Sequence, residues 1–377
     1  MIKVGFIGWR GMVGSVLIKR MIEESDFSDF ETYFFSTSQG GQKNPEWDIS
    51  FKNKTLIDAF DIQELSQMDI ILTCQGGDYT NKVFSKLRKV GWFGHWVDAA
   101  STLRMETDSI IVLDPINQSA IDKAYDKGIK NWVGGNCTVS LMLLAMQGLL
   151  EKNLVEWVSS MTYQAASGAG ANNMRELLTQ MGQIYSSVSN DLDQPNSNIL
   201  DIDRKAIGAM NSEKFEKSNF NVPLAGNLIP WIDEDLKNGQ SREEWKGQEE
   251  TNKILESDFN TIKIDGLCVR IGTMRSHCQA LTIKLKKNIP IEEINDIIAN
   301  GNQWVNFVSN DKESSMNLLS PSAVSGKLEI AVGRVRKLDI DENCISLFTV
   351  GDQLLWGAAE PIRRMLKILV KKGKSNQ

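Results

Sequence analysis

The first third of the chain alternates short apolar runs with amphipathic segments. Runs of four or five residues with the composition of buried strands cover residues 3–7, 33–36, 69–73, 96–99 and 110–113. Between them, residues 12–24 and 81–90 place apolar side chains at helical spacing and follow turns that contain glycine. This alternation predicts a parallel sheet covered by helices, an α/β fold of the Rossmann-like type.

The rest of the chain has a different pattern. An almost continuously apolar helix is predicted over residues 139–150, and β-type runs follow at 157–164, 266–274, 280–286, 328–338 and 344–350. Because no regular helices separate these runs, we expect a second, α+β domain with a mixed sheet. The polar stretch 186–198 is predicted to be a loop, and residues 352–370 a helix that could return to the first domain.

Composition narrows the class of protein. A length of 377 residues suits two domains, and shares of 41% hydrophobic and 24% charged residues are typical of well-packed soluble proteins. A net charge of -6 offers no basic surface to nucleic acid, and no apolar stretch reaches the length of a membrane span. The N-terminus lacks the regions of a signal peptide, and the five cysteines show no zinc-ligand spacing. We expect a cytoplasmic protein with no structural metal, no nucleic-acid partner and no membrane partner.

A glycine loop lies between the first predicted strand and the first helix. Its glycines are Gly8, Gly11 and Gly14, and the helix opens at Met12 and Val13. Glycine lets the backbone approach a pyrophosphate closely, and a helix N-terminus offers unpaired N–H groups. The loop therefore predicts a dinucleotide site, although a tight turn without any ligand would explain the same spacing.

The end of the second strand bears on the cofactor. NAD-binding domains usually place a carboxylate there for the ribose hydroxyls, whereas this strand ends in Phe-Ser-Thr-Ser-Gln at residues 35–39. Thr37 and Ser38 can donate hydrogen bonds to a 2'-phosphate, and Arg10 can pair with its charge. These residues favour NADP over NAD, while an ordinary polar turn remains the alternative.

A candidate nucleophile precedes the apolar helix of the second domain. Cys137 follows the sequence Gly-Gly-Asn at residues 134–136, so its sulfur is expected at a helix N-terminus, where the dipole favours the thiolate. The Asn136 side chain or nearby backbone N–H groups could stabilise an oxyanion. An inert buried cysteine is the alternative interpretation.

A thiol nucleophile needs a partner that exchanges protons, and the chain has two histidines. His95 lies beside a predicted strand among aromatic residues, which indicates a structural role. His277 lies between two β runs, where a strand end could direct it into a cleft. The adjacent Cys278 could reach the same cleft and is a second candidate for the nucleophile.

Longer motifs in order along the chain resemble those of one enzyme family. They are GWRGMVGS at 8–15, CQGGDY at 74–79, GGNCTV at 134–139, YQAASG at 163–168 and GDQLLWG at 351–357. Over essentially the whole chain, this pattern is similar to the aspartate-β-semialdehyde dehydrogenases of the Gram-negative bacterial type. The resemblance implies an NADP-binding domain formed by residues 1–135 with 358–377, and a catalytic and dimerisation domain formed by residues 136–357.

The resemblance also implies the reaction. A homodimeric enzyme of this family interconverts L-aspartate 4-semialdehyde and L-4-aspartyl phosphate through a cysteine thioester, with NADP(H) as cofactor and inorganic phosphate as co-substrate. In the cell the implied direction is reductive, towards lysine, threonine and methionine.

The resemblance assigns roles to individual residues. Cys137 would be the thioester-forming nucleophile, His277 the acid/base and Gln164 the residue that orients the substrate. Arg270 would bind the α-carboxylate, and Glu243, or else the adjacent Glu244, would pair with the α-amino group.

The remaining assignments concern phosphate and cofactor. Arg104 and Lys246 would hold phosphate, although without the resemblance they would be interpreted as surface ion-pairing groups. The implied cofactor residues are Gly8, Arg10, Gly11, Met12, Val13, Thr37, Ser38, Gln75, Ser167, Gly168, Pro195 and Gln353.

Two other functions remain open. Glyceraldehyde-phosphate and N-acetylglutamyl-phosphate enzymes also combine a nucleotide domain with a reactive cysteine. A regulatory thiol on an NADP-binding protein would need no turnover at all.

Overall fold

The computed structural model describes residues 1–47, 49–256 and 262–375. Over these ranges the chain forms two seven-stranded sheets with helices packed against them. The two sheets correspond to the two kinds of sequence pattern, because one is parallel and the other mixed.

The first sheet is parallel throughout. Its strands are β1 (Lys3–Ile7), β2 (Glu31–Ser36), β3 (Ile57–Asp58), β4 (Ile70–Thr73), β5 (His95–Asp98), β6 (Ser109–Val112) and β7 (Asn131–Gly134). The helices between them are α1 (Met12–Glu23), α2 (Ile62–Leu65), α3 (Gly77–Lys89) and α4 (Asp114–Asp126). The strand order is β3-β2-β1-β4-β5-β7-β6, and the paired strands are parallel. Because this order reverses direction between β1 and β4, a crevice forms there at the carboxyl ends of the strands, where such sheets bind nucleotides.

Apolar side chains cover both faces of the first sheet. Along β1, Val4 and Phe6 pack into a core with Leu17 of α1, whereas Ile7 packs into a second core with Val83 of α3. Side chains alternate between the two faces of a strand, so one apolar strand contributes to both cores. The result is a doubly wound α/β domain.

The C-terminal helix α12 (Glu360–Ser375) packs on the first sheet. It follows a π-helical turn at Leu355–Ala359, and its Ile362, Met365 and Leu366 are buried in the core that also contains Val4. The last helix therefore contacts the first sheet although the second sheet lies between them in sequence. The exact domain boundaries, 135/136 and 357/358, stay a prediction.

The second sheet is mixed. Its strands are β8 (Val155–Gln164), β9 (Leu228–Ile229), β10 (Lys263–Ile271), β11 (His277–Leu285), β12 (Val305–Phe307), β13 (Ile330–Leu338) and β14 (Asp341–Gly351), in the order β12-β13-β14-β11-β8-β10-β9. The helices of this part are α5 (Cys137–Glu151), α6 (Ala171–Leu192), α7 (Ile199–Met210), α8 (Arg242–Ile254), α9 (Ile291–Ala299), α10 (Lys312–Leu318) and α11 (Pro321–Val324). The pair β8 and β10 is parallel, and β11 is antiparallel to β8 and to β14.

The core of the second domain forms around α5. Every residue from Thr138 to Leu149 is buried, and the helix packs with residues of β11, β14, α8 and α9. A helix that is apolar on all sides is stable only when protein surrounds it completely. This burial holds α5 in one orientation, and its first residue is Cys137.

Most predicted elements are confirmed, with shifted ends. The apolar pattern did not reveal the strands β3, β7, β9 and β12 or the helices α2, α4 and α6 to α11. Helices α6, α7 and α8 separate β8 from β10, so the expectation that no regular helices separate the strands of the second domain is wrong, although its sheet is mixed. The run predicted to extend to residue 274 ends at Ile271. The loop predicted at 186–198 is wrong in its first half, since α6 continues to Leu192. Val188 extends the apolar stripe of Leu177 and Ile184 by one turn and is buried, so packing outweighs the polar composition there.

Among the helices of the described ranges, none combines the length and apolar character needed to cross a bilayer.

Candidate active site

A cavity of about 520 Å³ collects residues from both domains. Of the residues implicated by the sequence, those that line it are Met12, Val13, Arg104, Asn136, Cys137, Gln164, Ser167, Gly168, Glu243, Lys246, Arg270 and Gln353. Other lining residues include Ser101, Asp233 and Gly357. Positions that lie more than 300 residues apart in the sequence therefore meet at one cavity.

Cys137 is the first residue of α5, as the sequence predicted. Asn136 precedes it with extended backbone and caps the helix, because its Oδ1 accepts hydrogen bonds from Thr138 N at 2.9 Å and Val139 N at 3.3 Å. The other end of the Asn136 amide, Nδ2, donates to Glu243 Oε1 at 3.0 Å. Both ends of this amide are thus engaged in holding the start of the helix.

The Cys137 thiol is protonated in this arrangement. Burial and the nearby Glu243 carboxylate raise the pKa of Cys137 to about 12, against the opposing effect of the Arg270, Arg104 and Lys246 cations. The helix N-terminus alone therefore does not produce a thiolate. Ionisation requires a change in the charges around the sulfur.

Three polar side chains lie at neighbouring strand ends. Two of them, Gln164 and Arg270, line the cavity, whereas His277 does not line it and is buried beside Gly168, which does. Gln164 ends β8 and is paired in register with Arg270 of β10, while His277 begins β11. Their side chains are 1%, 6% and 1% exposed, respectively. Because side chains two residues apart share a sheet face, the alternation that buries Thr162 and Cys268 also directs Gln164 and Arg270 to the inner face.

Arg270 is a buried cation without a carboxylate partner in the described ranges. Its Nη1 donates to Ala165 O at 2.9 Å and to Gln164 Oε1 at 3.4 Å. Burial lowers the pKa of Arg270, but an arginine stays charged at neutral pH. An uncompensated guanidinium in a cavity is a binding site for a carboxylate or another anion.

His277 has one ring nitrogen held and the other free of protein partners. Its Nδ1 accepts a hydrogen bond from Ala165 N at 3.0 Å, whereas the buried Nε2 has no partner among the residues described. Burial and the Arg270 charge lower the pKa of His277 to about 3, so the ring is neutral at pH 7. With Nδ1 as acceptor, the single ring proton is on Nε2.

Glu243 and Lys246 of α8 form one ion-paired group with Asp233. Lys246 Nζ lies 3.0 Å from Glu243 Oε2 and 2.6 Å from Asp233 Oδ2. Glu243 Oε1 accepts hydrogen bonds from Gln164 Nε2 at 3.2 Å and Asn136 Nδ2 at 3.0 Å. These donors and Lys246 lower the pKa of Glu243 in spite of its burial, so the carboxylate is ionised.

Glu244 is engaged elsewhere. It forms a capping box with Ser241 at the start of α8, and its Oε1 accepts from Cys268 N at 3.2 Å. Of the two adjacent glutamates, Glu243 is the one that lines the cavity.

Arg104 is held by Glu250, a buried carboxylate on α8. Its Nη1 lies 3.1 Å from Glu250 Oε1, and its Nε donates to Gly134 O at 2.6 Å. Glu250 Oε2 accepts from Asn136 N at 2.7 Å. Glu250 thus joins the cavity arginine to the segment that presents Cys137.

The sequence analysis missed Glu250 and Asp233. Glu250 could have been found, because Glu243, Lys246 and Glu250 have the i, i+3, i+7 spacing of one helix face. Asp233 lies in a loop with the acidic neighbours Glu234 and Asp235, and no pattern distinguishes it from them.

The glycine loop has the shape of a dinucleotide cradle. Gly8 has φ +74, and a Cβ there would lie 2.5 Å from the backbone of Cys74 and Gln75. Helix α1 starts after Gly11, and no side chain caps it, so the first N–H groups of the helix receive no capping hydrogen bond from the residue before them. Unpaired N–H groups beside a glycine turn fit a pyrophosphate.

Arg10 lies in the glycine loop, and its side chain reaches the end of β2, next to the residues predicted to select the cofactor. Its Nη2 donates to Ser36 Oγ at 2.9 Å, and Ser36 Oγ also accepts from Ser38 N at 3.3 Å. Thr37 is half-buried and Ser38 is exposed, so both hydroxyls are accessible. Three polar side chains, with no carboxylate among them, therefore meet where the adenosine ribose binds in such folds.

Among the other predicted cofactor residues, Ser167, Gly168 and Gln353 line the cavity, whereas Gln75 and Pro195 do not. The Gln353 side chain bonds to Ser167 Oγ and accepts from Ser276 N, which ties two cavity segments together. Gln75 is exposed beside the glycine loop. Pro195 lies in the exposed loop between α6 and α7 and does not line the cavity.

The alternative cysteine and histidine lie outside the cavity. Cys278 is on the opposite face of β11 from His277, in an apolar cluster with Val308 and Val350. His95 accepts a hydrogen bond from Trp132 Nε1 at 3.0 Å and stacks on Tyr125. Cys278 is thereby excluded as the thiol of this cavity, and His95 has the structural setting that the sequence indicated.

Comparison with sequence families gives two matches. Residues 3–124 match the family described as semialdehyde dehydrogenase, NAD binding domain, and residues 146–356 match semialdehyde dehydrogenase, dimerisation domain. The first domain is therefore one that binds a nicotinamide nucleotide.

Solved structures agree with these matches. An aspartate semialdehyde dehydrogenase from Francisella tularensis is 50% identical, with a TM-score of 0.93 and coverage of 98% of this chain and 100% of that chain. Aspartate semialdehyde dehydrogenase II from Vibrio cholerae is 23% identical, with a TM-score of 0.74 and coverage of 98% and 99%. An aspartate semialdehyde dehydrogenase with NADP from Candida albicans is 16% identical, with a TM-score of 0.63 and coverage of 98% of each chain. The last two show a shared fold.

The geometry makes Gly168 a sensitive position. A methyl group at residue 168 would lie 2.8 Å from Arg270 Nη1 and 3.1 Å from His277 Nε2. We expect Gly168→Ala to displace both side chains and to lower kcat/KM for aldehyde oxidation by roughly 100-fold, because small misplacements of catalytic groups cost about that much. Steady-state assays check this.

Gly182→Ala is the matched control. A Cβ at this α6 position has no neighbour within 4 Å, so turnover should be unchanged. Equal activity of the Gly168→Ala and wild-type proteins would contradict the packing described for Arg270 and His277.

Proposed function

The chain belongs to the aspartate semialdehyde dehydrogenase family of oxidoreductases, and from this premise we propose its reaction. It reversibly converts L-aspartate 4-semialdehyde, phosphate and NADP⁺ to L-4-aspartyl phosphate and NADPH through a thioester on Cys137. The observation that carries the proposal is that Cys137 and the Arg270 cation line one cavity, with His277 Nε2 buried next to Gly168, which lines the same cavity.

The charges of the cavity match the two ends of this amino acid. Arg270 offers a guanidinium without a carboxylate partner in the described ranges, which suits the α-carboxylate. Glu243 is ionised and lines the cavity, which suits the α-ammonium group, while Glu244 is occupied by its capping box. Gln164 lies between them with bonds to both, so its amide orients the two binding groups.

Substrate binding also explains how Cys137 becomes reactive. The Glu243 charge is one cause of the raised pKa of Cys137. An ammonium group beside Glu243 would neutralise that charge and lower the pKa of the thiol. The cations Arg270, Arg104 and Lys246 would then act with less opposition, so the thiolate forms when the substrate is in place.

The proposed reaction has two stages, in which the thioester on Cys137 first forms and is then cleaved by phosphate. The Cys137 sulfur bonds to the aldehyde carbon, and the aldehyde oxygen becomes the hydroxyl of a thiohemiacetal. The nicotinamide ring of the cofactor supplies the acceptor for the hydride that leaves this carbon. The carbon remains bonded to Cys137 as a thioester, and the hydroxyl proton passes to the surrounding water. A phosphate oxygen then attacks the thioester carbon, the C–S bond breaks, and Cys137 is released.

His277 serves the oxygen of this intermediate. Because Nδ1 is engaged by Ala165 N, the ring meets the substrate only through Nε2. In the reductive direction Nε2–H donates to the developing alkoxide, as a neutral imidazole does when it acts as an electrophile. The absence of any Nε2 partner among the described residues supports this assignment.

Phosphate would bind between Arg104 and Lys246, which both line the cavity. Glu250 fixes the Arg104 guanidinium by one oxygen and Asn136 N by the other. The phosphate-binding arginine and the thioester carbon would therefore keep a constant distance, as attack of a phosphate oxygen on the acyl carbon requires.

NADP is proposed over NAD from the end of β2. Arg10, Thr37 and Ser38 can bind a 2'-phosphate, and no carboxylate of this segment opposes it. The proposed cofactor site continues through the glycine loop to Gln75, Ser167, Gly168, Pro195 and Gln353. The free cysteines of the described ranges fit a reducing cytoplasm. The proposed cellular role is the reductive step towards lysine, threonine and methionine.

A homodimer is proposed through the outer face of the second sheet. Leu267, Met161, Ala280 and Phe348 are paired in register across β10, β8, β11 and β14, on the face opposite Arg270 and Gln164. Leu267 is 53% exposed and Met161 37%. An apolar row in the middle of a sheet is the kind of surface that an isologous interface covers.

The reaction is tested by following NADPH formation with the semialdehyde, phosphate and NADP⁺. We expect turnover that requires phosphate, that is much lower with NAD⁺, and that is absent with glyceraldehyde 3-phosphate or N-acetylglutamate semialdehyde. Cys137→Ala should retain NADPH binding and lose turnover by more than roughly 10⁴-fold. Substantial activity of this variant would refute the nucleophile, and turnover without phosphate would refute the acyl acceptor.

Binding of the substrate α-carboxylate by Arg270 is tested with Arg270→Lys. Lysine keeps the charge but loses the two-pronged geometry, so kcat/KM for the semialdehyde should fall roughly 10- to 100-fold. Arg204→Lys on α7, an exposed arginine paired with Asp201, is the control and should be neutral. An unchanged kcat/KM for Arg270→Lys would contradict the role in substrate binding.

The dimer is tested by sedimentation velocity. The wild-type chain should sediment at twice its 42.2 kDa mass, and Leu267→Glu should shift it towards the single-chain mass by placing charges in the interface. Phe93→Glu in the first domain, where the side chain is 81% exposed, should leave the mass unchanged. A wild-type protein of single-chain mass would overturn this part of the proposal.

A further inference from the structure

Lys246 is occupied by two carboxylates in the ligand-free site. Its ammonium lies 2.6 Å from Asp233 Oδ2 and 3.0 Å from Glu243 Oε2, and its side chain is 12% exposed. A phosphate ion that binds Lys246 must therefore replace at least one of these partners, because an incoming anion is repelled by a carboxylate at the same ammonium.

The two carboxylates are held very differently. Glu243 lies on α8, its side chain is 7% exposed, and its second oxygen is bonded to Asn136 and Gln164. Displacing it would remove the Glu243 acceptor from Asn136 Nδ2 and leave Gln164 Nε2 with Thr162 Oγ1 alone, at the cost of buried polar groups that are less well paired.

Asp233 is the less anchored of the two. It lies in the loop between β9 and α8, its side chain is 30% exposed, and its other oxygen bonds to the backbone N of the adjacent Glu234. Its φ of +72 is in the left-handed region, which is uncommon for residues other than glycine. A side chain on such a loop can leave Lys246 without disrupting the core.

We propose that Asp233 is a gate for the acyl acceptor: its carboxylate occupies the Lys246 ammonium until phosphate displaces it. This rests on the proposed function of Lys246 in phosphate binding. The gate weakens phosphate binding and keeps the acceptor site filled while the semialdehyde reacts with Cys137. Asp233 acts through Lys246 and is a positioning residue.

Asp233→Asn tests the gate with little structural change. Asparagine has the same size and tolerates the left-handed backbone, and the Trp231 Nε1 bond to the backbone O of residue 233 is retained. Without the competing charge, KM for phosphate should fall about fivefold, whereas KM for the semialdehyde and kcat should stay the same. Initial rates measured against phosphate and against semialdehyde separate these constants.

Asp235→Asn is the matched control. It removes the same charge from the same loop, but the Asp235 carboxylate pairs with the exposed Lys237. It should leave KM for phosphate unchanged. If Asp235→Asn lowers that KM as much as Asp233→Asn does, the effect is general electrostatics and the gate is refuted.

Other outcomes of Asp233→Asn also overturn the gate. A higher KM for phosphate would mean that Asp233 holds Lys246 in its binding position. A changed KM for the semialdehyde would place Asp233 on the substrate ammonium, and no change in either constant would show that the ion pair has no influence.

Lys246→Met distinguishes failure of the gate from failure of the phosphate site. If this variant raises KM for phosphate while Asp233→Asn is neutral, the phosphate site stands and the gate alone fails. If Lys246→Met leaves KM for phosphate unchanged, the phosphate site fails, and the gate with it. In an Asp233→Asn, Lys246→Met double variant, the effect of the first substitution should disappear.

Discussion

The hydrogen bonds of Asn136 are the interactions on which the rest of the site depends. Its Oδ1 caps α5, its Nδ2 bonds to Glu243, and its backbone N bonds to Glu250. One residue thereby joins the segment after β7 to α8 and to the buried helix that begins at Cys137. Because α5 is surrounded by apolar side chains, that joint cannot rotate, and the sulfur has a fixed position relative to α8.

Charge compensation differs among the three cations of the cavity. Arg270 has only neutral acceptors in the described part of the chain, Arg104 is paired with the buried Glu250, and Lys246 is shared by two carboxylates. The unpaired cation suits a substrate group that must be held throughout the reaction, whereas a paired cation suits an anion that enters later. Under the proposed function, this difference in pairing matches the order in which the semialdehyde and phosphate are used.

The sequence predicted those features that depend on local pattern. Many strand and helix positions followed from apolar periodicity, and the Gly-Gly-Asn-Cys context placed Cys137 at a helix start, which the structure confirms because α5 begins at Cys137. Helical spacing places Glu250 on the same face as Glu243 and Lys246, but its pairing with Arg104, and that of Asp233 with Lys246, could not be predicted, because these partners meet only through tertiary packing. The protonation of Cys137 was also misjudged: the helix dipole was visible in sequence, but the burial and the Glu243 charge that outweigh it were not. Residues 186–192 show the same limit of prediction from sequence. Their polar composition predicted a loop, but they form the end of α6, where Val188 is buried.

The thioester on Cys137 is the central claim, and mass spectrometry tests it most directly. Wild-type protein would be mixed with the semialdehyde and NADP⁺ in phosphate-free buffer, quenched in acid and digested. The account predicts one aspartyl group on the peptide that contains Cys137, and its loss when phosphate is added before the quench. An acyl group on another residue, or phosphate-dependent turnover with no acylated peptide formed, would contradict the account.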